Sequence, residues 1–91
     1  MPVEVRFPGP LQALANGART VTAEGPTVGE VIGDVGHRFP GLTERLLDSN
    51  GELHRFVNVY LNDEDVRFLG GLDAPVHSGD VVAILPALAG G

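Results

Sequence analysis

The sequence predicts an α+β domain in which one main helix packs on one face of a mixed sheet of about five strands. Three observations predict this class. Apolar and polar residues alternate in several short segments, a single segment carries a long apolar stripe at helical spacing, and that segment separates two strands from the rest. At 91 residues and 9.5 kDa the chain has room for one core. We assign residues 1–86 to this domain and residues 87–91 to a flexible C-terminal tail.

The first two strands are predicted from alternation. Val3, Val5 and Phe7 alternate with proline, glutamate and arginine, which is the period of a half-buried strand, and a Pro-Gly-Pro run then ends it. Residues 11–17 are expected to form a connection. Alternation resumes over residues 19–23, and two strands this close in sequence predict a hairpin.

The main helix follows the hairpin. Thr27 and Glu30 have the spacing of a capping box, in which the two residues satisfy free N–H groups at the start of a helix. The apolar residues at helical spacing are Val28, Val31, Ile32, Val35 and Phe39. Gly29 and Gly33 are expected to let this helix lie close on the sheet, and a Pro-Gly pair predicts its end. Residues 42–48 are expected to add a short second helical turn.

The second half of the chain supplies the remaining strands. Residues 53–61 are predicted to form the longest strand, because β-branched and aromatic residues are frequent in them. A short strand is expected around Val66 and Phe68. The unbroken apolar run over residues 81–85 predicts a central strand covered on both faces. A helix between the two halves favours a parallel pair of first and last strands, and this order of elements is that of a β-grasp, or ubiquitin-like, fold.

Charge and composition argue against several classes of function. Twelve acidic residues against six basic ones give a net charge of −6, which repels nucleic-acid phosphates and favours protein partners with basic surfaces. The sequence lacks an apolar run of the ~20 residues that a membrane span needs and has no signal-peptide pattern. We therefore expect a cytoplasmic protein that is monomeric on its own. Cysteine is absent, which excludes disulfides, and lysine is absent as well.

The domain itself shows no constellation typical of catalysis or of a bound metal. The histidines, His37, His54 and His77, are too widely spaced to be metal ligands, and no glycine-rich loop joins a strand to a helix. We therefore expect neither an enzyme nor a bound cofactor. Three carboxylates gather at one predicted turn: Asp63, Glu64 and Asp65. They indicate either a solvated turn or a contact for a basic partner.

The C-terminal end carries the chemical signal. Gly90 and Gly91 have no side chains, so they can enter a slot too narrow for other residues. The residues after Pro86 can extend by roughly 16–18 Å. A terminal carboxylate is ionised at pH 7 and can attack the α-phosphate of ATP, giving an acyl-adenylate that a sulfur donor can displace. This end therefore predicts a carboxylate that enters another protein's buried site.

The order of elements and the Gly-Gly end together resemble the prokaryotic ubiquitin-like sulfur carriers. This family includes the small subunit of molybdopterin synthase and the thiamin-thiazole sulfur carrier. The resemblance covers essentially the whole chain and is most specific in LHRFVNVYLNDEDVR, at residues 53–67, and in the later segment GGLDAPVHSGDVVAILPALAGG. Both segments look most like the actinobacterial branch of the family that serves cysteine synthesis.

The resemblance implies that Gly91 becomes a thiocarboxylate through an E1-like activating enzyme that uses ATP and Mg. The carrier then binds no cofactor and is a protein co-substrate for a synthase that makes cysteine or another sulfur-containing metabolite. The cysteine branch also implies a JAMM-type metalloprotease that trims the product. Partners are expected to recognise the tail at Leu88, Ala89 and Gly90.

Three alternatives stay open at this point. The same end suits a covalent protein modifier that attaches Gly91 to lysines, the small subunit of molybdopterin synthase, or an interaction domain with an inert tail. The tail lacks a proline-rich approach to its glycines, which argues against molybdopterin synthesis. One face of the last strand, joined by Phe56 or Tyr60, is expected to dock partners.

Overall fold

A computed structural model of the protein describes residues 2–55 and 57–86. The strands in these residues are β1 (Pro2–Arg6), β2 (Thr20–Glu24), β3 (Val57–Leu61), β4 (Glu64–Asp65) and β5 (Val81–Pro86). The α-helices are α1 (Gly9–Gln12), α2 (Val28–Arg38) and α3 (Pro40–Leu46). Short 3-10 helices lie at Ala13–Ala15, Val66–Phe68 and Gly71–Asp73.

The strands form one mixed sheet in the order β2-β1-β5-β3-β4. β1 and β5 run parallel, with Val5 level with Val82, whereas the other neighbouring strands run antiparallel. A parallel pair needs a crossover connection, and the segment with α2 and α3 is part of it. This is the β-grasp fold, so the predicted class and the central parallel pair are confirmed.

The core lies between one face of the sheet and the helices. The largest fully buried side chains are Ile32, Leu42, Leu46, Ile84, Val3, Val5, Val28, Val31, Val35, Val59, Val66 and Val82. Each such burial contributes about 1.5–3 kcal/mol to folding. The predicted apolar stripe of α2 is therefore part of this core, with Phe39 packed at its margin. No helix in residues 2–55 and 57–86 is long and apolar enough to cross a membrane.

The opposite side of the sheet, the outer face, carries the alternate residues of the strands. It includes Glu4, Arg6, Thr20, Thr22, Asn58, Tyr60, Val81, Ala83 and Leu85. β5 is central, as predicted, but it is covered on one face only. Val82 and Ile84 are buried, whereas Leu85 on the outer face is 44 % exposed. The unbroken apolar run therefore does not mean burial on both faces, because the helices pack on one side of the sheet.

The start of α2 follows the predicted capping box, since the Thr27 hydroxyl accepts a hydrogen bond from the Glu30 N–H at 3.2 Å. The glycines of α2 differ from the prediction. A Cβ at Gly29 would lie 3.1 Å from the carbonyl of Leu72 in a 3-10 helix, and one at Gly33 would meet open space. Neither glycine therefore brings the helix close to the sheet.

The helix α2 also closes the free edge of β2. The Glu24 N–H donates to the Asp34 carboxylate at 2.9 Å, and the Arg38 guanidinium donates to the Thr22 carbonyl. Asp34 and Arg38 lie 3.6 Å apart as an i,i+4 ion pair. Side chains thus occupy backbone groups that an edge strand would otherwise offer to another chain.

One predicted connection contains more structure than the sequence indicated. The expected connection at residues 11–17 begins with the end of α1 and continues into a 3-10 helix, and both Leu11 and Ala15 are buried. Their i,i+4 spacing is helical. The Pro-Gly pair follows the end of α2 at Arg38, as predicted, and the predicted second helical turn is α3, in which Pro40 is the first residue and its missing N–H has no cost.

Two predicted strands are shorter or displaced. β3 begins at Val57 rather than at Leu53, which instead forms an isolated bridge with Leu47. The reason is local, because the Asp48 carboxylate accepts from two backbone N–H groups and folds residues 48–52 into a turn. The short strand lies at Glu64–Asp65, and Val66–Phe68 is a 3-10 helix that leaves Phe68 85 % exposed.

Candidate functional site

The tail to which the sequence assigns the chemistry lies outside the described residues, as does Phe56. The tail residues concerned are Leu88, Ala89, Gly90 and Gly91. The structure shows the place from which the tail continues. β5 ends at Pro86, which pairs with Val57 of β3. The tail therefore continues from β5, the central strand of the sheet. β5 is hydrogen-bonded to β1 on one side and to β3 on the other.

The outer face beside this exit is apolar at its centre. Leu85 lies opposite Asn58, and Ala83 lies opposite Tyr60, in the antiparallel pair of β5 with β3. Leu85 is exposed, whereas Tyr60 and Ala83 are half-buried. An exposed leucine beside a tyrosine is the kind of surface that a partner protein can desolvate on binding. Tyr60, which the sequence proposes for docking, thus lies on the outer face. It is two residues along β3 from Asn58, the partner of Leu85 near the exit.

A charged pair lies next to this apolar centre. Arg6 is level with Ala83 on the neighbouring strand β1, and its Nε donates to the Glu4 carboxylate at 2.5 Å. This hydrogen bond raises the pKa of the Arg6 guanidinium, and the charge of Glu4 acts in the same direction. A cation and an anion therefore lie side by side on the outer face. They are placed to form polar contacts at the edge of an interface with a docked partner.

Arg67, which the sequence reasoning did not single out, organises the other side of the exit. Its guanidinium donates to the Asn58 side chain at 2.8 Å and to the Val57 carbonyl at 3.1 Å. It also lies 3.6 Å from the Asp65 carboxylate. These bonds satisfy a backbone group on the edge of β3 that β4 is too short to reach. An arginine four positions after a predicted turn gives no local signal of such a long-range role.

The acidic turn lies at the other end of β3. Asn62 and Asp63 have positive φ angles of 50° and 73°, which form the tight turn into β4. Asp63 and Glu64 are exposed. Asp65 differs from them, because its carboxylate accepts from the Arg67 N–H at 2.9 Å. The three carboxylates thus lie near one another, but at the end of the sheet opposite to the tail exit.

Asp80 joins this turn to the loop before β5. One carboxylate oxygen accepts from the Asn62 side chain at 3.0 Å, and the other accepts from the His77 N–H at 2.8 Å. These two hydrogen bonds, with Asn62 contributing most, lower the pKa of the Asp80 carboxyl. Sequence reasoning missed this residue, although its place in a Ser-Gly-Asp turn was visible.

The histidines are far apart in the fold as well. His37 lies in the last turn of α2, and His77 lies 3.8 Å from the Asp80 carboxylate. Within residues 2–55 and 57–86, no group of three His, Asp or Glu residues is arranged to hold a metal ion.

The third histidine, His54, lines a groove beside the tail exit, which we call the root groove. Its lining combines apolar residues with polar and charged ones: Pro8, Pro10, Leu11, Val57 and Leu85, and Glu44, Arg45 and His54. The groove has a volume of ≈ 260 Å³. It lies where β5 ends, because Val57 and Leu85 each belong to the last residue pairs of the β3–β5 ladder.

Comparison with known proteins gives a consistent result. The sequence model of the ThiS family matches residues 5–91. The sulfur carrier protein CysO of Mycobacterium tuberculosis is 52% identical to this chain over 93 residues, and the match covers 100% of both proteins. Small archaeal modifier protein 3 of Haloferax volcanii is 37% identical over 65 residues, which are 71% of this chain and 70% of that protein.

The likeness extends to solved structures. A chain in the crystal structure of the Amycolatopsis orientalis BexX/CysO complex superposes with a TM-score of 0.90 at 52% sequence identity. The superposition covers 98% of this chain and 99% of that chain. The similarity therefore includes the β-grasp domain as a whole and is not limited to one motif.

Proposed function

Because the chain belongs to the ThiS family, we propose that it is a sulfur carrier that holds sulfur as a thiocarboxylate on Gly91. The observation that carries this proposal is the full-length likeness to a sulfur carrier protein, CysO. The fold supports it, because the central strand β5 leads directly into the Gly-Gly tail. The protein is then a co-substrate, and the catalysis belongs to its partner enzymes.

The first proposed step activates the carboxylate. A carboxylate oxygen of Gly91 attacks the α-phosphorus of ATP, and the bond to the bridging oxygen breaks, so that pyrophosphate leaves. The attacking carboxylate needs no proton removed at pH 7, because it is already ionised. The E1-like partner supplies ATP, Mg and the groups that stabilise the charge of the transition state.

The second step exchanges oxygen for sulfur. A hydrosulfide-class donor attacks the acyl carbon, a C–S bond forms, and the C–O bond to AMP breaks. The product is a thiocarboxylate, which delivers its sulfur to a synthase that makes cysteine or another sulfur-containing metabolite. In the cysteine case, a JAMM-type metalloprotease removes the residues added to the carrier. The small subunit of molybdopterin synthase would use the same activated end.

The domain contributes a rigid base and a contact surface. Residues 87–91 can extend roughly 16–18 Å beyond Pro86, which is enough to reach a buried site. The absence of side chains at Gly90 and Gly91 suits a narrow entry to that site, and Leu88 and Ala89 would give it apolar contacts. We propose that the outer face around Tyr60 docks the activating enzyme, and that Phe56, which lies outside the described residues, takes part in this contact.

Intact-mass measurement of the protein from its native host tests the sulfur chemistry. A carrier gains about 16 mass units when sulfur replaces one oxygen of the Gly91 carboxylate, which turns that end into a sulfur nucleophile. Deletion of Gly91 should abolish adenylation by the host's activating enzyme and leave the folding transition unchanged, because we expect a terminal residue after the last strand to contribute nothing to the core. Normal adenylation of the deletion variant would overturn the proposal. Deletion of Met1 is the matched control.

A second candidate function is supported by the likeness to small archaeal modifier protein 3. A modifier shares the activation step and differs in the nucleophile, because a lysine amine of a target attacks the acyl-adenylate in place of sulfide. Isopeptide-linked adducts of the chain in host lysate, without the thiocarboxylate form, would favour this function. The absence of lysine means that the chain itself offers no such amine for polymerisation.

A further inference from the structure

We propose that Arg6 pairs with a carboxylate of the activating enzyme and so fixes the orientation in which that enzyme lies on the outer face. The inference rests on the proposed function, which supplies the enzyme and its use of the tail. It adds the chemistry of their contact, which is an acidic side chain of the partner close to the tail exit. Two features of the described residues carry it: the unused donors of Arg6 and the distribution of charge on the outer face.

The guanidinium of Arg6 is held in place and still has donors to offer. Its Nε donates to the Glu4 carboxylate at 2.5 Å, and its side chain is 57% exposed. The Nη1 and Nη2 groups form no hydrogen bond with any of the described residues. A guanidinium bound in this way can accept a second carboxylate end-on, through two parallel hydrogen bonds. Because Glu4 already restricts the side chain, little further conformational entropy is lost when a partner binds.

Arg6 also lies beside the apolar centre of the outer face. It is level with Ala83, which lies opposite Tyr60 on the next strand. On the far side of the same centre, the Arg67 guanidinium binds the Asn58 side chain at 2.8 Å. Two guanidinium groups therefore flank the exposed apolar surface. This is the layout of a protein interface, in which a polar rim surrounds an apolar core.

Negative charge on the outer face lies farther from the tail exit. Glu4 is two residues behind Arg6 on β1, level with the first residue of β5. Asp63 and Glu64 are exposed at the β3–β4 turn, and Asp80 binds the same turn just before β5 begins. The face therefore has an acidic end where β5 begins and cations nearer to the end where the tail leaves.

This separation of charge determines what the partner must offer. A uniformly basic partner would attract the acidic end most strongly and would turn the tail exit away from itself. The proposed function needs the opposite orientation, in which the tail enters the enzyme. An acidic side chain of the enzyme opposite Arg6 would favour that orientation. In the reversed orientation the same side chain would meet the acidic end and be repelled.

Titration calorimetry of the full-length protein with the host's activating enzyme tests the role of Arg6. Arg6→Gln should raise the Kd about tenfold or more, which is the usual effect of losing a hydrogen bond between charged groups. Arg6→Lys keeps the charge but loses the paired geometry, so its Kd should lie between those of wild type and Arg6→Gln.

Arg19→Gln is the matched control, because it removes the same charge from an exposed arginine that precedes β2. Both glutamine variants make the protein more negative by one unit. Attraction to a basic enzyme alone therefore predicts the same slight gain in affinity for both. The proposal predicts a loss for Arg6→Gln only, so the two explanations differ in sign.

The carboxylate on the enzyme is found by replacing its Asp and Glu residues around the bound carrier with Asn and Gln, one at a time. One replacement should weaken binding of the wild-type carrier about tenfold and have little further effect on Arg6→Gln. Such non-additivity is the signature of a direct pair.

Three results would overturn the proposal. Equal Kd values for Arg6→Gln and Arg19→Gln would mean that only net charge matters, and Arg6→Lys provides the same comparison if urea unfolding shows that Arg6→Gln is destabilised. Absence of coupling between Arg6 and every enzyme carboxylate would remove the pair. A dimer of the free protein that Arg6→Gln dissociates, seen by sedimentation, would mean that a second copy occupies the face. Failure of the wild-type protein to bind the enzyme would overturn the proposed function and this inference with it, whereas the other results concern Arg6 alone.

Discussion

Asp80 shows how much of the fold can depend on one carboxylate. It receives hydrogen bonds from the Asn62 side chain and from the His77 N–H, and Asn62 in turn accepts from the Val81 N–H at 2.9 Å. These bonds tie the β3–β4 turn to the loop before β5. The Asp80 side chain thus holds together two turns and the first residue of β5. Because this carboxylate is accessible to solvent, it can be protonated in acid.

The stability of the protein should therefore fall in acid through Asp80. Its carboxyl has a lowered pKa in the folded state, so its contribution is complete above the unfolded pKa of about 3.9 and is lost as the pH falls through the folded value. We expect Asp80→Asn to flatten the decline in the free energy of unfolding below about pH 4. Urea titrations at several pH values measure this. Asp73→Asn, at an exposed carboxylate, is the control and should keep the wild-type slope; an unchanged slope in Asp80→Asn would contradict the assignment.

Single residues were predictable where their partners are local. The capping pair Thr27 and Glu30 is three positions apart, and its hydrogen bond is present. Arg67 and Asp80 escaped notice because their partners lie about ten and eighteen positions away and carry no periodic signal. The chemistry of the tail rests on its residue types and on the family resemblance, and it stays a prediction, since the tail lies outside the described residues.

At the scale of elements, the contact between α2 and α3 sets a sharp requirement. A Cβ at Gly36 would lie 2.3 Å from the Thr43 hydroxyl of α3, whereas one at Gly33, a turn earlier, would meet open space. Both glycines lie within α2. Substitution at Gly33 therefore reports only the free-energy cost of glycine in a helix, whereas substitution at Gly36 also reports the cost of crowding against Thr43.

We expect opposite effects of alanine at these positions. Gly33→Ala should raise the free energy of unfolding by about 0.5–1 kcal/mol, because alanine restricts the unfolded chain. Gly36→Ala should lower it by about 1 kcal/mol, because the Thr43 hydroxyl must leave its present rotamer to make room for the new Cβ. Thermal and urea unfolding of the two variants measure both values. Restoration of Gly36→Ala by Thr43→Ala would confirm the contact, and a stable Gly36→Ala variant would refute it.

A helix or strand was predictable from the sequence where its apolar residues recur at the spacing that places them on one buried face. α2 and the buried positions of β3 were clear for this reason. The start of β3 was placed too early because Leu53 and His54 have strand-forming neighbours but bond to Leu47 and Leu46 at the end of α3. The turn at Asp48 and the pairing across it decided that segment, and strand propensity could not reveal them.

At the scale of the whole molecule, the net charge of −6 should act on the rate of encounter. Asp63 and Glu64 are exposed at the end of the sheet opposite to the tail, and Asp65 is bound to Arg67. We expect Asp63→Asn with Glu64→Gln to slow association with the activating enzyme several-fold at about 0.05 M salt, and hardly at all at about 0.5 M. Stopped-flow mixing gives these rates.

The matched control changes two carboxylates elsewhere, Glu52→Gln with Asp73→Asn. If both double variants slow association equally, the association rate depends on the net charge of the protein and not on the position of the acidic turn. If neither responds to salt, the acidity serves solubility alone. Asp65 is left unchanged in both variants because its bond to the Arg67 N–H belongs to the fold.

The parallel pairing of β1 with β5 has a mechanical consequence. Glu4 is level with Val81 and Arg6 with Ala83, so Pro2 and Pro86 lie at opposite ends of the central pair. A force that pulls residue 86 away from Pro2 loads the interstrand hydrogen bonds in shear, and they must break together rather than in succession. Forced unfolding is governed by the unfolding rate. An unfolding enzyme that pulls on the C-terminal side of this protein therefore acts first on the β1–β5 pair, the contact that resists the force most.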